Sequence, residues 1–306
     1  MTTFTTRKAH WAVLAANLLF GINFSVVKII SPGVIQPFAL NLVRVIITAS
    51  LFWLLWLAGP HAGAGIRRAD LPRFLLCALT GVAINQLLFI KGLTLTTPIH
   101  AALLMLGTPV FILLLAWAFR SEPVRPQKLV GLALAIGGAL LLILTRESSA
   151  IASNMMLGDV LVLLNAITYS FYFNLVKPLM QRYQPIHIIR WVFTLGFLYM
   201  LPVCWPEFAQ TNWSTFTLPQ LGALAFVVLG ATFFAYLFNI YGLQHLSASA
   251  TGAYIYLQPL FSAIISILFL GEETAVYKAV AAVLIFAGVY LVNRRDQAGG
   301  EKVPEG

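Results

Sequence analysis

The chain has 306 residues, of which 60% are hydrophobic and only 9% charged, and its formal net charge is +9 at pH 7. Soluble domains carry roughly 25% charged residues, so this composition, with a mean hydropathy of +0.88, excludes a soluble protein and points to a polytopic membrane protein. The basic residues lie in short loops, which excludes a nucleic-acid-binding surface and leaves the charge as a signal of topology.

Arg7 and Lys8 precede an apolar run longer than the roughly 7 to 15 residues of a secretory h-region, and no small-x-small site closes it. The first helix is therefore expected to be retained. Apolar runs bounded by charge, Pro, Gly or Asn give ten expected spans, at 10–30, 36–57, 71–91, 98–119, 127–145, 156–177, 186–205, 218–241, 248–270 and 276–293. These runs approach or reach the roughly 20 residues needed to cross a bilayer. They divide the chain into a cytoplasmic N-terminus (1–9), a first five-helix repeat (10–145), a connector (146–155), a second five-helix repeat (156–293) and a disordered cytoplasmic tail (294–306).

The division into halves rests on an internal repeat. A gapless shift of 150 positions carries Gly92-Leu93 onto Gly242-Leu243, Pro109 onto Pro259, Phe111 onto Phe261, Phe119 onto Phe269, Glu122 onto Glu272, Lys128 onto Lys278 and Gly138 onto Gly288. Loop Lys and Arg fall mostly on the side of the N-terminus, from Arg7, Lys8, Arg67, Arg68 and Arg73 to Lys177, Arg182, Arg294 and Arg295. Lys28, Lys91, Arg146 and Lys278 fall on the other. The positive-inside rule then puts both termini in the cytoplasm. Five helices per half is an odd number, so the halves enter the membrane from opposite sides, as in the inverted repeats of secondary transporters.

The first span reads Phe20-Gly21-Ile22-Asn23-Phe24-Ser25-Val26-Val27-Lys28, and the sixth repeats the Phe-x-x-x-Lys spacing at Phe173 and Lys177. With ten spans and the duplication, this resembles the EamA-type branch of the drug/metabolite transporter superfamily over about residues 9–293. Members usually carry Trp where this chain has Phe20. The resemblance implies export or exchange of small metabolites, often amino acids and their derivatives, through a central cavity lined mainly by spans 1, 3, 4, 6, 8 and 9. It also implies a bacterial-type inner membrane.

Candidate cavity residues follow. Asn17, Phe20, Gly21, Phe24 and Lys28 form one stripe of span 1, beside Asn23, and Asn165, Tyr169, Tyr172 and Phe173 form one of span 6. Asn85 and Gln86 in span 3, and Tyr236 and Asn239 in span 8, are amides and phenols too deep to face lipid at low cost. Thr108-Pro109 and Gln258-Pro259 occupy equivalent positions in spans 4 and 9. Each proline frees a carbonyl four residues back, at Met105 and Ile255, so Gly107, Pro109 and Pro259 are candidate hinges, with Tyr254 beside the second. Such stripes and breaks also arise from ordinary interhelical packing. Lys28, Arg44 and Arg190 are candidate anion contacts, although both arginines lie near enough to span ends to snorkel.

No Asp or Glu is expected at mid-membrane depth, which leaves proton coupling open. Cys77 and Cys204 lie in apolar runs without metal-ligand spacing, the five histidines are scattered, and no hydrolase motif is present. No metal, cofactor or catalytic residue is expected, and the implied partners are a small-molecule substrate and the bilayer, with no protein partner evident. Neutral or zwitterionic solutes suit the Asn, Gln, Tyr and Phe inventory. Nucleotide sugars or other phosphorylated metabolites, the alternative, would require clustered Lys and Arg.

Overall fold

The computed structural model describes residues 3–59, 65–118, 126–145, 152–246 and 254–293. Phe119, Glu122, Arg146 and the tail from residue 294 lie outside the described residues. The described residues are helical, with no strand among them. Among the described residues, six helices are long and apolar enough to cross a membrane: Thr6–Ile30, Pro37–Ala58, Arg68–Leu95, Met155–Met180, Pro185–Gln210 and Leu218–Gly242. Four shorter apolar helices accompany them: Pro98–Ile112, Leu129–Leu144, Tyr254–Leu270 and Val276–Leu291.

Numbered in chain order, α1 is Thr3–Ile30, so it begins seven residues before the expected span, and α2 is Pro37–Ala58. α3 (71–95) is α-helical at both ends with a π segment, Leu79–Ala83, between them. α4 is split into Pro98–Met105 and Thr108–Ala118, and α5 is Pro126–Leu144. α6 is Met155–Met180 and α7 is Pro185–Gln210. α8 (218–245) has a π segment at Phe226–Phe234, α9 is Tyr254–Leu270 with a 3-10 first turn, and α10 is Val276–Asn293.

Proline and polar caps set where these helices start. Proline occupies the first turn of α2, α3, α4, α7 and α8, where its missing N–H removes no hydrogen bond. Thr97 accepts from the His100 N–H at 3.3 Å to start α4. Thr217 and Gln220 form a reciprocal capping box on α8. α9 ends at Gly271, whose φ of 63° is left-handed and suits a residue without Cβ.

Two antiparallel pairs organise the packing. α2 lies against α7, with Phe52 on Phe193 and Trp53 Nε1 donating to Thr194 Oγ1 at 2.8 Å, while Glu207 accepts from the Phe38 N–H at 2.6 Å. α5 lies against α10 through two glycines. A Cβ on Gly138 would sit 2.9 Å from the Ala281 carbonyl, and one on Gly288 would sit 2.5 Å from the Gly131 carbonyl. The 150-residue shift exchanges these two contacts, which is the signature of a two-fold relation between the helices. Around the pairs, α1 packs on α8 and α9, and α6 packs on the corresponding helices α3 and α4.

The segmented helices also correspond. Shifting the π segment of α3 by 150 gives residues 229–233, inside the π segment of α8, and the break of α4 maps to the 3-10-to-α junction of α9. A π segment widens one turn and commonly marks a functional region.

Candidate solute site

On the α1–α9 seam, Gln258 Nε2 donates to Asn17 Oδ1 at 2.7 Å, and Asn17 Nδ2 donates to the Val13 carbonyl at 2.8 Å. Gly21 lets α9 approach, since a Cβ there would lie 2.6 Å from Phe261 Cβ and 2.9 Å from the Gln258 carbonyl. The related α6–α4 seam places Ser170 where α1 has Gly21, and its hydroxyl, which donates to the Ala166 carbonyl at 2.7 Å, lies 3.2 Å from the Thr108 carbonyl. On the α3–α6 seam, Asn85 Nδ2 donates to the Asn165 carbonyl at 3.3 Å and Asn165 Nδ2 to the Asn85 carbonyl at 2.8 Å. Several expected cavity amides therefore spend donors on interhelical contacts.

The break in α4 has a local chemical cause. Thr108 Oγ1 donates at 2.6 Å to the Met105 carbonyl, the group that Pro109 leaves without its helical N–H. Leu106 and Gly107 turn tightly by donating to the Leu103 and Leu104 carbonyls. Pro259 stands in the first turn of the α-helical part of α9. Gly107, Pro109 and Pro259 thus lie at the discontinuities, as the proline positions imply.

An aromatic group gathers between the two halves. Tyr236 on α8 meets Phe20 on α1 edge to face, with ring centroids 6.2 Å apart, and Phe193 on α7 at 5.5 Å. Tyr169 and Tyr172 on α6 pair at 5.7 Å. Tyr172 packs directly on the backbone of Gly81 in the π segment of α3. Phe24 meets Phe89 at 5.5 Å. Asn23 is buried with Oδ1 unpartnered, Gln86 is buried, and Asn239 is half-buried. Tyr254 shares a 2.9 Å hydrogen bond with His10 across the start of α1. Phe173 instead faces outward, 38% exposed, under the Lys177 ammonium. A cavity of about 470 Å³ lies on the outer face of the α2–α7 pair, lined by Ile46, Ala49, Ser50, Trp53, Thr194 and Phe197; it is apolar and separate from these residues.

The cations depart from the snorkelling expected of them. Arg44 is 4% exposed and Arg190 0%, so neither reaches solvent at a helix end. Arg190 stacks on the indoles of Trp53 and Trp56, 4.6 and 3.7 Å from their centroids, with Nη2 2.8 Å from His187 Nδ1. Arg44 Nε donates to Thr232 Oγ1 at 3.1 Å, and Thr232 returns a 2.7 Å bond to the Val227 carbonyl within the π segment of α8. Lys28 donates to the Leu93, Thr94 and Thr96 carbonyls at 3.3, 2.7 and 2.7 Å. It caps the C-terminal end of α3, where helical carbonyls lack partners, and so is not presented to a solute anion.

Reading the sequence alone missed a buried polar network at the end of the bundle where α1, α3 and α9 finish. Asp159, on the first turns of α6, accepts from the Thr96 hydroxyl and lies 2.9 Å from His100 Nδ1, and His100 Nε2 is 3.0 Å from the Tyr277 hydroxyl. Glu272 accepts from Ser266 at 2.5 Å and from the Ile99 N–H at 3.3 Å, beside Lys278. Asp159 and Glu272 do sit at helix ends, as expected, yet they are 0% and 4% exposed. The signal available was a carboxylate a few residues inside an apolar run. At the opposite end Asp70 joins Arg182 and Tyr183, both at 2.8 Å. Burial, with the Asp70 carboxylate alongside, pushes the Tyr183 phenol up from its ordinary value against the opposing Arg67 N–H, which keeps it a hydrogen-bond donor. Among the described residues, no cluster of His, Cys, Asp and Glu could hold a metal ion.

The sequence profile of the EamA-like transporter family matches this chain twice, at residues 7–144 and 156–294. A transporter of Archaeoglobus fulgidus is 26% identical over 291 residues, covering 94% of this chain and 98% of that protein. A probable terminal-alkyne amino-acid exporter of Streptantibioticus cattleyicolor is 26% identical over 288 residues, covering 94% of each. A solved crystal structure superposes with a TM-score of 0.62 at 17% identity, covering 96% of this chain and 98% of its own, a likeness of fold alone.

Proposed function

We propose, from the premise that the chain belongs to the EamA-like transporter family, that it exports or exchanges amino-acid-like metabolites by alternating access across a bacterial-type inner membrane. The premise makes it a membrane transporter. The proposal adds the solute, the mechanism, the membrane and an arrangement of ten membrane helices as two inverted repeats with cytoplasmic termini.

The observation that carries the reading is the antiparallel pairing of repeat-related helices, α2 with α7 and α5 with α10. Related helices that run in opposite directions support halves inserted with opposite orientation, and such halves can rock about a site between them. The proposed site takes its aromatic and amide groups from Phe20, Asn23, Gln86, Tyr169, Tyr172 and Tyr236. The proline breaks of α4 and α9 are the points about which each half can bend. In this reading the end holding Lys28, His100, Asp159 and Glu272 is the closed outer gate, sealed by polar contacts from α1, α3, α4, α6, α9 and α10.

The amino-acid exporter named above supports the solute class by likeness. Phosphorylated solutes are disfavoured, because Lys28 is committed to carbonyls and Arg190 to indoles. The test is counterflow into proteoliposomes preloaded with mixed unlabelled amino acids, using labelled amino acids one at a time. Uptake of a chemical subset, reduced at least about tenfold by Asn23→Ala, is expected. Flat traces across the panel would overturn the solute class.

A further inference from the structure

The geometry points to Arg44 as the carboxylate anchor of the transported solute, a specificity-determining contact at the mouth of the π segment of α8. This inference rests on the proposed reading of the aromatic region between the halves as the solute site. It adds which group of the solute is recognised, and by which residue.

Arg44 and Arg190 stand on the repeat-related helices α2 and α7. Each begins an Arg-x-x-x-Thr pattern, Arg44 to Thr48 and Arg190 to Thr194, on helices that both start with Gln-Pro, at Gln36-Pro37 and Gln184-Pro185. The two arginines have different surroundings. Arg190 keeps its charge but stacks on the rings of Trp53 and Trp56 and bonds to His187, contacts in which a desolvated guanidinium gains from ring faces. Arg44 has no such rings. At 4% exposure it has one hydrogen bond from Nε to Thr232, and Nη1 is buried without any partner.

A guanidinium stays charged at any physiological pH, and burying it without a counter-charge is costly. Among the described residues no carboxylate pairs with Arg44. Other cations among the described residues are engaged: half-buried Lys28 with carbonyls, buried Lys278 beside Glu272, and buried Arg190 with indoles. The unpaired charge calls for an anion from outside the protein, and a planar fork with a free donor matches a carboxylate.

The neighbourhood limits what that carboxylate is attached to. Arg44 bonds to Thr232, one turn of α8 before Tyr236, whose ring meets Phe20 and Phe193 edge to face. The anion is therefore held near a phenol and two phenyl rings, surroundings for an apolar or aromatic side chain. The assigned ligand is an organic acid with a single carboxylate and an apolar body, a class that includes apolar amino acids. A multiply charged phosphate would find one cation where it needs several. Asn41, one turn before Arg44, donates to the Gln86 carbonyl at 3.0 Å and fixes this part of α2 on α3, so Arg44 is presented from a rigid element.

The test has two readouts. The first is thermal unfolding of detergent-purified protein without solute. If Arg44 exists to bind solute, its removal costs the empty protein little. Arg44→Gln is expected to stay within about 2 °C of wild type, while Arg190→Gln, which strips the cation from two indoles, loses more than about 5 °C. A loss in Arg44→Gln as large as in Arg190→Gln would overturn the proposal.

The second readout is proteoliposome counterflow of labelled phenylalanine, leucine and methionine, with phenylalaninamide, phenylalaninol and 3-phenylpropionate as competitors. Carboxylate-bearing competitors are expected to inhibit at least about tenfold better than the amide and alcohol. Arg44→Gln and Arg44→Lys are expected to raise the half-saturating concentration about tenfold or more. Equal inhibition by amide and acid, or wild-type affinity in Arg44→Gln, would overturn the anchor. If no amino acid is taken up, stabilisation of the wild type but not of Arg44→Gln by 3-phenylpropionate would retain the anchor and sink the amino-acid reading. Absence of that stabilisation as well would sink both.

Discussion

At the scale of the residue, two amide contacts that look alike in sequence differ in construction, and the difference is measurable. Asn17 and Gln258 meet side chain to side chain, so removing either strands the other. Asn85 and Asn165 each donate to the other's backbone carbonyl, and a carbonyl survives any substitution. Each of the four alanine variants is expected to cost about 0.6 kcal/mol, with an upper bound of about 1.7. The Asn17→Ala/Gln258→Ala cycle is expected to show coupling above about 0.5 kcal/mol, and the Asn85→Ala/Asn165→Ala cycle to be additive within about 0.3–0.5. Reversible unfolding in mixed detergent micelles reads both, and equal coupling in the two cycles would refute the distinction. That these amides turn inward was legible from the sequence, because lipid disfavours them. Which atom bonds to which was not, since spacing along one helix says nothing of the register against its neighbour. The same limit hid the fates of the cations. Lys28 and Arg44 read alike as positive charges near span ends, and only the carbonyls at the end of α3 and the hydroxyl of Thr232 separate a cap from a buried fork.

At the scale of the element, small residues do two different jobs. Gly288 and Gly138 stand where α10 and α5 touch backbone to backbone, whereas a Cβ on Gly137 would meet nothing within 4 Å. Gly288→Ala must push apart two helix backbones that cannot yield as a side-chain tip would, at an expected cost of about 1–3 kcal/mol. Gly137→Ala is expected to be neutral or to stabilise by up to about 1 kcal/mol, because alanine is the better helix former. Thermal unfolding of the two variants side by side checks this, and a Gly137→Ala loss equal to that of Gly288→Ala would show that helix propensity, not close approach, controls the pair. The gapless 150-residue shift made the α5–α10 relation readable beforehand, since glycines at matching places in two apolar runs imply a common contact. The π segments of α3 and α8 were not readable. Their residues, Leu79–Ala83 and Phe226–Phe234, are ordinary apolar sequence, and an extra residue per turn arises from packing against neighbours such as Tyr172. The proline breaks fell between these cases: their positions were plain, but the Thr108 hydroxyl that satisfies the freed Met105 carbonyl required the three-dimensional arrangement.

At the scale of the whole molecule, the halves differ most where a two-fold relation would make them alike. One end is closed by buried acids, a histidine and two lysines, while the opposite end has the more exposed contact of Asp70 with Arg182 and Tyr183. This asymmetry suits a transporter resting in one of two access states, and it makes orientation the property to test. Gln36 and Gln184 immediately precede the equivalent helices α2 and α7 and are exposed. Because those helices run antiparallel, the two glutamines lie at opposite ends of the bundle. The proposed topology puts Gln184 in the cytoplasm and Gln36 outside. In intact cells a membrane-impermeant thiol reagent is therefore expected to modify Gln36→Cys and to spare Gln184→Cys until the membrane is permeabilised. Cys77 and Cys204 are buried, so they contribute little background. Modification of both cysteines from one side would break the inverted arrangement and with it the case for alternating access. Protection of Gln36→Cys with modification of Gln184→Cys would keep the arrangement but reverse it in the membrane, putting the buried acid network at the cytoplasmic gate.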